Sequence, residues 1–178
     1  WYDFRHSMLT ASSLASAIGQ GHFKTRNQLI LSKCGLDDDI SSFAKGIMEH
    51  GNKYEDVAVM IYENRNKVSI KEFGCLRHPI LKCFGASPDG IVGALKPGAG
   101  KELFGRMLEI KVPPKRVIEP GVCPKHYWMQ VQGQLEVCDL PDADFLQCKI
   151  EEFCIGSHYS CDNFYETGVI IHGYTREK

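Results

Sequence analysis

The sequence predicts a mixed α/β fold in which a central mixed β-sheet is flanked by helices. Its 178 residues are enough for one domain with a sizeable core, so we expect a single domain over residues 1–178. Apolar residues recur at helical spacing in some segments and at strand spacing in others. The predicted elements follow the order helices, strand hairpin, strand, helix and two strands, which favours a sheet with helices on its faces.

Three helices are predicted in the first third of the chain. The first begins in the stretch LTASSLASAIGQG, where Thr10 or Ser12 can cap it. The second, TRNQLILSKCG, ends at Gly35 because glycine readily adopts the left-handed conformation that terminates helices. The third spans residues 44–66, where apolar side chains recur at near-helical spacing, beginning with Ile47.

The rest of the chain supplies the predicted sheet and one more helix. The elements are strands at residues 67–78, 81–93, 106–113, 143–153 and 167–175, and a helix at residues 124–138. The first two strands are expected to pair with each other. The third stops at Pro113 and Pro114, because proline cannot donate a hydrogen bond to a strand ladder.

Composition excludes several classes of protein. The net charge is −1, so any nucleic acid must be held by a local basic groove and not by the total charge. No run of 18 apolar residues and no signal peptide is present in the sequence, so we expect neither membrane insertion nor secretion. We therefore expect an intracellular protein, in the cytoplasm or nucleus of a host cell. Because the chain starts at Trp1 and not at Met, we expect a fragment of a longer protein.

Eight cysteines occur without any Cys-x-x-Cys pair. A chain of this length folds without disulfides, so we interpret them as reduced thiols that are mostly buried. One cluster near the end of the chain, made of Cys148, Cys154, His158 and Cys161, offers zinc ligands as an alternative. Its spacing fits no standard zinc finger.

Two short stretches carry the residues of a candidate site. In ASPDGIV, Asp89 lies on a turn that Pro88 stiffens and Gly90 makes flexible. In MLEIKVP, Glu109 and Lys111 alternate with apolar residues and therefore point to the same face of a strand. Two acids and a lysine on adjacent strand ends predict a metal site.

The predicted metal is a hard cation, Mg²⁺ or alternatively Mn²⁺, because such ions accept a few carboxylates together with water. The carbonyl of Ile110 is a further candidate ligand. A bound ion would activate water, and Lys111 would stabilise the charge that develops at phosphorus. The alternative interpretation is structural: Glu109 and Lys111 form an ion pair on an exposed strand, and Ser-Pro-Asp-Gly is an ordinary turn.

Four motifs resemble those of a known family. SPDG followed by LEIK resembles the signature of PD-(D/E)XK nucleases, which have a restriction-endonuclease-like core. The stretches WYDFRHSMLTASSL, HGNKYEDVA and HYWMQVQGQLEV are similar to motifs of the phage lambda exonuclease and YqaJ-type viral recombinase family. All occur in the order of that family and together cover residues 1–137.

The resemblance implies roles for individual residues. It implies that Asp89 and Glu109 are the metal carboxylates and Lys111 the catalytic lysine. It also implies that Glu55 is the helix acid that approaches the metal. The positions that match the binding pocket for a terminal 5′-phosphate are Arg5, Ser12, Ser87 and Gln130. An arginine and a helix start are both suited to an anion.

The function implied by the resemblance is a metal-dependent 5′-to-3′ exonuclease on double-stranded DNA, acting in recombination or DNA processing. A single-strand annealing protein is the implied partner, and a homo-oligomer is the implied assembly. Two alternatives remain open at this point. One is an endonuclease or RNA-cleaving nuclease on the same fold, and the other is a non-catalytic nucleic-acid-binding or scaffold protein.

Some residues beside the site have two interpretations. Lys115, Arg116 and Lys125 can hold the DNA backbone or form a solvated face. We expect Tyr127 and Trp128 to lie in the core and not to serve as a base-stacking platform.

Overall fold

The computed structural model describes residues 5–36 and 41–152. The strands are β1 (Leu9–Thr10), β2 (Val68–Lys71), β3 (Leu76–Arg77), β4 (Phe84–Ala86), β5 (Gly90–Leu95), β6 (Met107–Lys111) and β7 (Ala143–Gln147). The α-helices are α1 (Leu14–Ala17), α2 (Arg26–Lys33), α3 (Ser42–Asn66) and α4 (Lys125–Cys138), and short 3₁₀ helices form at Ala11–Ser13 and Lys101–Leu103. The strand predicted at residues 167–175 and three members of the predicted cysteine and histidine cluster lie outside the described residues.

The mixed α/β fold class is confirmed, with the strands divided between two mixed sheets. The larger sheet has the order β2-β5-β6-β7, in which β6 and β7 are parallel and the other neighbours are antiparallel. The smaller sheet has the order β1-β4-β3, with β1 parallel and β3 antiparallel to β4. The predicted central sheet corresponds to the larger of these two.

The two segments predicted as paired strands do pair, but each of them breaks into two strands. β2 pairs with β5 in the larger sheet, and β3 pairs with β4 in the smaller one. The second segment breaks at residues 87–89, where Pro88 lacks the N–H that a ladder requires. Asp89 therefore lies where the chain passes from one sheet to the other.

The long helix α3 packs on the larger sheet. Tyr54, Ala58 and Tyr62 are buried on its inner face, against a core that includes residues of β2, β5 and β6. Ile47 and Met48 extend the apolar pattern toward the start of the helix, yet they are 41% and 56% exposed. Their apolar spacing therefore does not mark a core face.

The first predicted helix is shorter than its sequence pattern suggests. A 3₁₀ turn leads into α1, which has only four residues, and neither element has a side-chain cap. The expectation that Thr10 or Ser12 caps the helix is therefore wrong. Instead, the Thr10 hydroxyl forms hydrogen bonds with the hydroxyls of Ser12 and Ser13, at 3.0 and 3.3 Å.

The helix α4 packs on the smaller sheet and on the 3₁₀ turn that follows β1. Gly133 lies at this contact, where a Cβ atom would approach Phe84 and Ala11 to 3.1 and 3.2 Å. The absence of a side chain lets the two helical segments approach closely. Among the described residues, no helix combines the length and the apolar character needed to cross a membrane.

Gly85 lies in β4, the central strand of the smaller sheet. It pairs with Thr10 on one side and Arg77 on the other. A Cβ atom on Gly85 would lie 2.8 Å from the carbonyl oxygen of Leu76 and would collide with the sulfur of Met8. The backbone carbonyl cannot move without disturbing the ladder, so only glycine fits.

We expect Gly85→Ala to destabilise the protein by about 1–3 kcal/mol, as overpacking of a tight site does. Gly46→Ala is the matched control, because Gly46 lies in α3 with no atom within 4 Å of an added Cβ. That change should stabilise the protein by roughly 0.5–1 kcal/mol through helix propensity. Chemical denaturation of both variants measures the two effects. Equal stability of Gly85→Ala and the unmodified protein would contradict the packing argument.

Candidate active site

A cleft of about 340 Å³ is lined by residues from both sheets and from α3 and α4. The predicted site residues come together there, although they are distant in sequence. Those that line it are Arg5, Ser12, Glu55, Ser87, Asp89, Glu109, Lys111 and Gln130. Of the predicted site residues, Ile110 alone does not line the cleft.

Glu109 is the most buried acid of the cleft, at 1% exposure. One of its carboxylate oxygens accepts hydrogen bonds from the Lys111 ammonium and, at 2.6 Å, from the side-chain amide of Gln130. The other accepts a bond from the amide of Gln134, also at 2.6 Å. One cation and two neutral donors therefore compensate a charge that would be costly to bury alone.

Asp89 is held by the backbone of the neighbouring strand, because the N–H of Ile110 donates to its Oδ2 at 2.6 Å. Burial raises the pKa of Asp89 to about 7, and repulsion from Glu109 adds to the rise. Lys111 and the Ile110 hydrogen bond oppose it. The folded protein thus keeps Asp89 in a place that disfavours its charge.

Glu55 reaches the same cleft from α3. Burial raises its pKa, and Glu109 raises it further, while Lys111 acts in the opposite direction. Burial tends to lower the pKa of Lys111, but attraction to Glu109 and Asp89 outweighs this and leaves the pKa raised. Lys111 is therefore an ammonium ion amid three carboxylates.

The donor set fits a hard divalent cation. Mg²⁺ is commonly held by one or two carboxylates with water completing its shell, and Asp89 and Glu109 supply such a pair. A cation would also relieve the repulsion that raises the pKa of Asp89. Within residues 5–36 and 41–152, no three His, Cys, Asp or Glu side chains are gathered closely enough to form a cage. Both carboxylate oxygens of Glu109 instead accept hydrogen bonds from neighbouring side chains. That the Ile110 carbonyl is a ligand remains a prediction.

The predicted phosphate-binding residues form the other side of the cleft. The Arg5 guanidinium donates to the Ser12 hydroxyl at 3.2 Å. The hydroxyl of Ser87 is buried and has no hydrogen-bond partner among the described residues. Gln130, by contrast, donates its amide to Glu109. Because α1 is so short, its dipole adds little at Ser12, so Arg5 is the main source of positive charge there.

Lys33 of α2 holds the segment that carries Arg5. Its ammonium donates to the backbone carbonyls of Arg5, His6 and Met8 at 2.9, 3.3 and 2.7 Å. This contact spans more than twenty residues of sequence and could not be read from local patterns.

Several cleft residues were not predicted as site residues. They are Thr10, Ala11, Asn52, Glu72, Phe73, Pro88 and Gln134. Gln134 is the most informative, because it is fully buried and its amide also donates to the Ser87 carbonyl at 3.2 Å. A signal was present in the sequence: Gln130 and Gln134 are four residues apart, so they share one face of α4.

Two aromatic residues near the site differ in their environments. Tyr127 is half-buried, and its ring lies 5.1 Å from the Lys111 ammonium and 5.2 Å from the Arg116 guanidinium. Trp128 is 53% exposed, so the expectation that it lies in the core is wrong. It lies on the outer face of α4, which points away from the sheet.

The chain is similar to known proteins in both sequence and fold. The model of a family described as the YqaJ-like viral recombinase domain matches residues 1–141. An uncharacterized protein, R354, of Acanthamoeba polyphaga mimivirus is 38% identical over 160 residues. That match covers 86% of this chain and 29% of the relative, so the chain spans less than a third of the length of the mimivirus protein.

Solved structures show the same fold. An alkaline exonuclease from Laribacter hongkongensis, LHK-Exo, superposes with a TM-score of 0.65 at 26% identity, covering 84% of this chain and 73% of that one. Its structure in complex with dAMP superposes with a TM-score of 0.64 at 26% identity, covering 83% and 72%. The mixed sheets and flanking helices therefore match the alkaline exonuclease fold.

We expect Asp89→Asn to stabilise the protein in a metal-free buffer, by up to about 4 kcal/mol near pH 8, because each pKa unit corresponds to about 1.4 kcal/mol. The folded-state pKa of Asp89 is raised from 3.8 to about 7, so the folded protein holds this proton more tightly than the unfolded chain. Stability is therefore lost as the pH rises from about 4 to 7. The advantage of the variant should nearly vanish at about pH 4.

Thermal unfolding with a chelator, at both pH values, measures this difference. Asp56→Asn is the control, because it removes an exposed carboxylate from α3. Added Mg²⁺ should stabilise the unmodified protein more than Asp89→Asn. A larger advantage of Asp89→Asn in acid than near pH 8 would contradict the assignment.

Proposed function

The chain belongs to the family of YqaJ-like viral recombinase domains, and on this basis we propose that it is a divalent-metal-dependent deoxyribonuclease. It would degrade double-stranded DNA in the 5′-to-3′ direction from phosphorylated ends. The observation that carries this proposal is the convergence of Asp89, Glu109 and Lys111 in one cleft with the Arg5–Ser12 pair. Carboxylates for a cation thus lie beside donors for a phosphate.

The proposed reaction is hydrolysis of a phosphodiester bond. When bound at Asp89 and Glu109, a divalent cation supplies an activated water and lowers the cost of charge on the phosphate. The Lys111 ammonium pairs with Glu109, and this places a positive charge beside the proposed metal ligands. Its role is to stabilise the negative charge that grows at phosphorus. Glu55 is the additional acid that approaches the metal from α3.

Recognition of the 5′ end is assigned to the other side of the cleft. A terminal phosphate carries more charge than an internal diester, so it gains more from the Arg5 guanidinium. The hydroxyls of Ser12 and Ser87 add neutral hydrogen bonds, and the Ser87 hydroxyl, which has no partner among the described residues, supports a ligand there. The Gln130 amide nitrogen donates one of its two N–H groups to Glu109, so the second N–H is the one assigned to this phosphate.

The structural neighbour supports the chemistry of the ligand. LHK-Exo is an alkaline exonuclease, and one of its structures holds dAMP. A nucleoside monophosphate is the product that an exonuclease releases, and we propose that the cleft of this chain accepts the same class of molecule. By the same family resemblance we propose a role in recombination or DNA processing inside the host cell. A single-strand annealing protein and a homo-oligomer are the proposed partner and assembly.

We expect Asp89→Asn and Glu109→Gln each to lower cleavage of linear duplex DNA by at least about a thousandfold at saturating Mg²⁺. Each variant removes a proposed metal ligand, and the metal contributes several kcal/mol to the transition state. Glu102→Gln, an exposed carboxylate outside the cleft, is the matched control and should cleave normally. Omitting the metal should abolish cleavage by the unmodified protein. Normal cleavage by Asp89→Asn or Glu109→Gln would overturn the site, and binding without cleavage by the unmodified protein would favour the non-catalytic alternative.

We expect a duplex with a 5′-hydroxyl to be cut at least about tenfold more slowly than one with a 5′-phosphate, because a charge-assisted hydrogen bond contributes about 1.5–3 kcal/mol. Arg5→Ala should slow the phosphorylated substrate and largely erase the difference. Arg77→Ala is the control, since Arg77 is exposed on β3 and does not line the cleft.

Initial rates on matched linear substrates measure this preference, with a closed circular duplex and an RNA duplex as further substrates. Equal rates on both ends, or rapid cutting of the circle, would favour the endonuclease. Preferred cutting of RNA would favour the RNA-cleaving alternative.

A further inference from the structure

A row of aromatic side chains lies beside the proposed active site and has no role in the chemistry described so far. We call His22, Phe23, His126 and Tyr127 the aromatic strip. The rings of His22 and His126 are stacked, with centroids 4.6 Å apart and planes 10° apart. Phe23 meets these two rings edge-on, at 4.8 and 5.4 Å. The Tyr127 ring lies 4.1 Å from that of His126.

The aromatic strip is continuous with the cleft. Its inner end is Tyr127, whose ring faces both the Lys111 ammonium and the Arg116 guanidinium at about 5 Å. Its outer end is Phe23, which is 72% exposed, next to the exposed ring of His22. The strip therefore runs from the proposed catalytic lysine to the protein surface.

The chemistry of the strip suits neutral flat groups. Burial lowers the pKa of His126, and His22 and Arg116 lower it further, so this ring is uncharged near pH 7. The neutral His126 ring and the Phe23 ring carry no charge that would attract a phosphate. They stack well on nucleobases, and stacking of this kind accepts any base because every base has a π face.

The charges near the strip favour a nucleic acid over a protein as the occupant. Lys111 and Arg116 contact its inner ring, and the exposed Lys125 directly precedes His126. Cations interleaved with aromatic rings are the usual composition of a surface for single-stranded nucleic acid. A strand whose phosphate lies at Lys111 would have its neighbouring bases beside Tyr127.

We propose that the aromatic strip is a stacking surface for unpaired nucleobases at the end of the strand held in the cleft. The proposal rests on the proposed nuclease function. Bases that leave the duplex lose their stacking partners, and the strip replaces them. The strip would thus favour frayed or unpaired ends over fully paired ones.

Fluorescence of short single-stranded DNA tests the proposal directly. The probe carries a 5′-phosphate and has 2-aminopurine at the positions next to that phosphate. The buffer contains Ca²⁺, so that binding is observed with little turnover. The unmodified protein should quench the fluorescence. Phe23→Leu should reduce the quenching and weaken binding roughly five- to a hundredfold, the range that loss of one stacking contact produces. Phe104→Leu is the matched control, because Phe104 is 64% exposed and lies outside both the strip and the cleft.

An abasic probe with the same phosphates separates stacking from charge. The unmodified protein and Phe23→Leu should bind it equally, and both more weakly than the unmodified protein binds the base-containing probe. If Phe23→Leu lost affinity equally for both probes, or lost affinity for neither, the stacking role would be overturned. A change of oligomeric state in Phe23→Leu would also overturn it, since the strip would then be a contact between copies of the chain.

Failure of the stacking surface and failure of the proposed nuclease function give different results. If the unmodified protein binds and stacks the probe but cleaves no DNA with Mg²⁺, the nuclease proposal fails while the stacking surface stands. If it cleaves DNA and Phe23→Leu has the same affinity and quenching as the unmodified protein, only the stacking surface fails.

Discussion

The buried charge of Glu109 is the constraint on which the rest of the structure depends. A carboxylate at 1% exposure is tolerated only when each oxygen is paired, because an uncompensated buried charge costs several kcal/mol. Lys111 supplies the opposite charge from the same strand, and Gln130 and Gln134 supply neutral donors from α4. The pairing therefore fixes α4 against β6. Gln134 also reaches the carbonyl of Ser87, which ties the same helix to the connection between the two sheets.

A second constraint opposes the first. Asp89, Glu109 and Glu55 all interact with Lys111, and burial, together with their mutual repulsion, raises the pKa of Asp89 and Glu55. A fold selected for stability alone would not keep these acids together. Clusters of this kind are typical of functional sites, where the energy lost in folding is recovered when a ligand binds. The free-energy cost of grouping these acids is confined to the cleft, because the rest of the larger sheet has an ordinary apolar core.

The substrate side of the cleft depends on contacts of a different kind. The segment carrying Arg5 is held by Lys33, and the close approach at Gly133 brings the 3₁₀ turn with Ser12 against α4. The aromatic strip begins at the same helix, one turn before Gln130. One helix therefore positions the groups that contact the proposed metal ligand, the phosphate pocket and the stacking surface. This arrangement would couple the proposed place of cleavage to the proposed site for the end of the strand.

The sequence by itself determined the order of the main helices and strands and the local chemistry of the site. Alternation in β6 places Glu109 and Lys111 on one face, and Pro88 stiffens the turn that carries Asp89, because both effects act over a few residues. The division into two sheets, the contact of Lys33 with the segment of Arg5, and the pairing of Gln134 with Glu109 were decided only by the tertiary structure. These contacts join residues 25 to 28 positions apart and depend on how helices and sheets pack. The exposure of Trp128 was decided in the same way, since periodicity identifies the apolar residues of a helix but not which of its faces a sheet will cover.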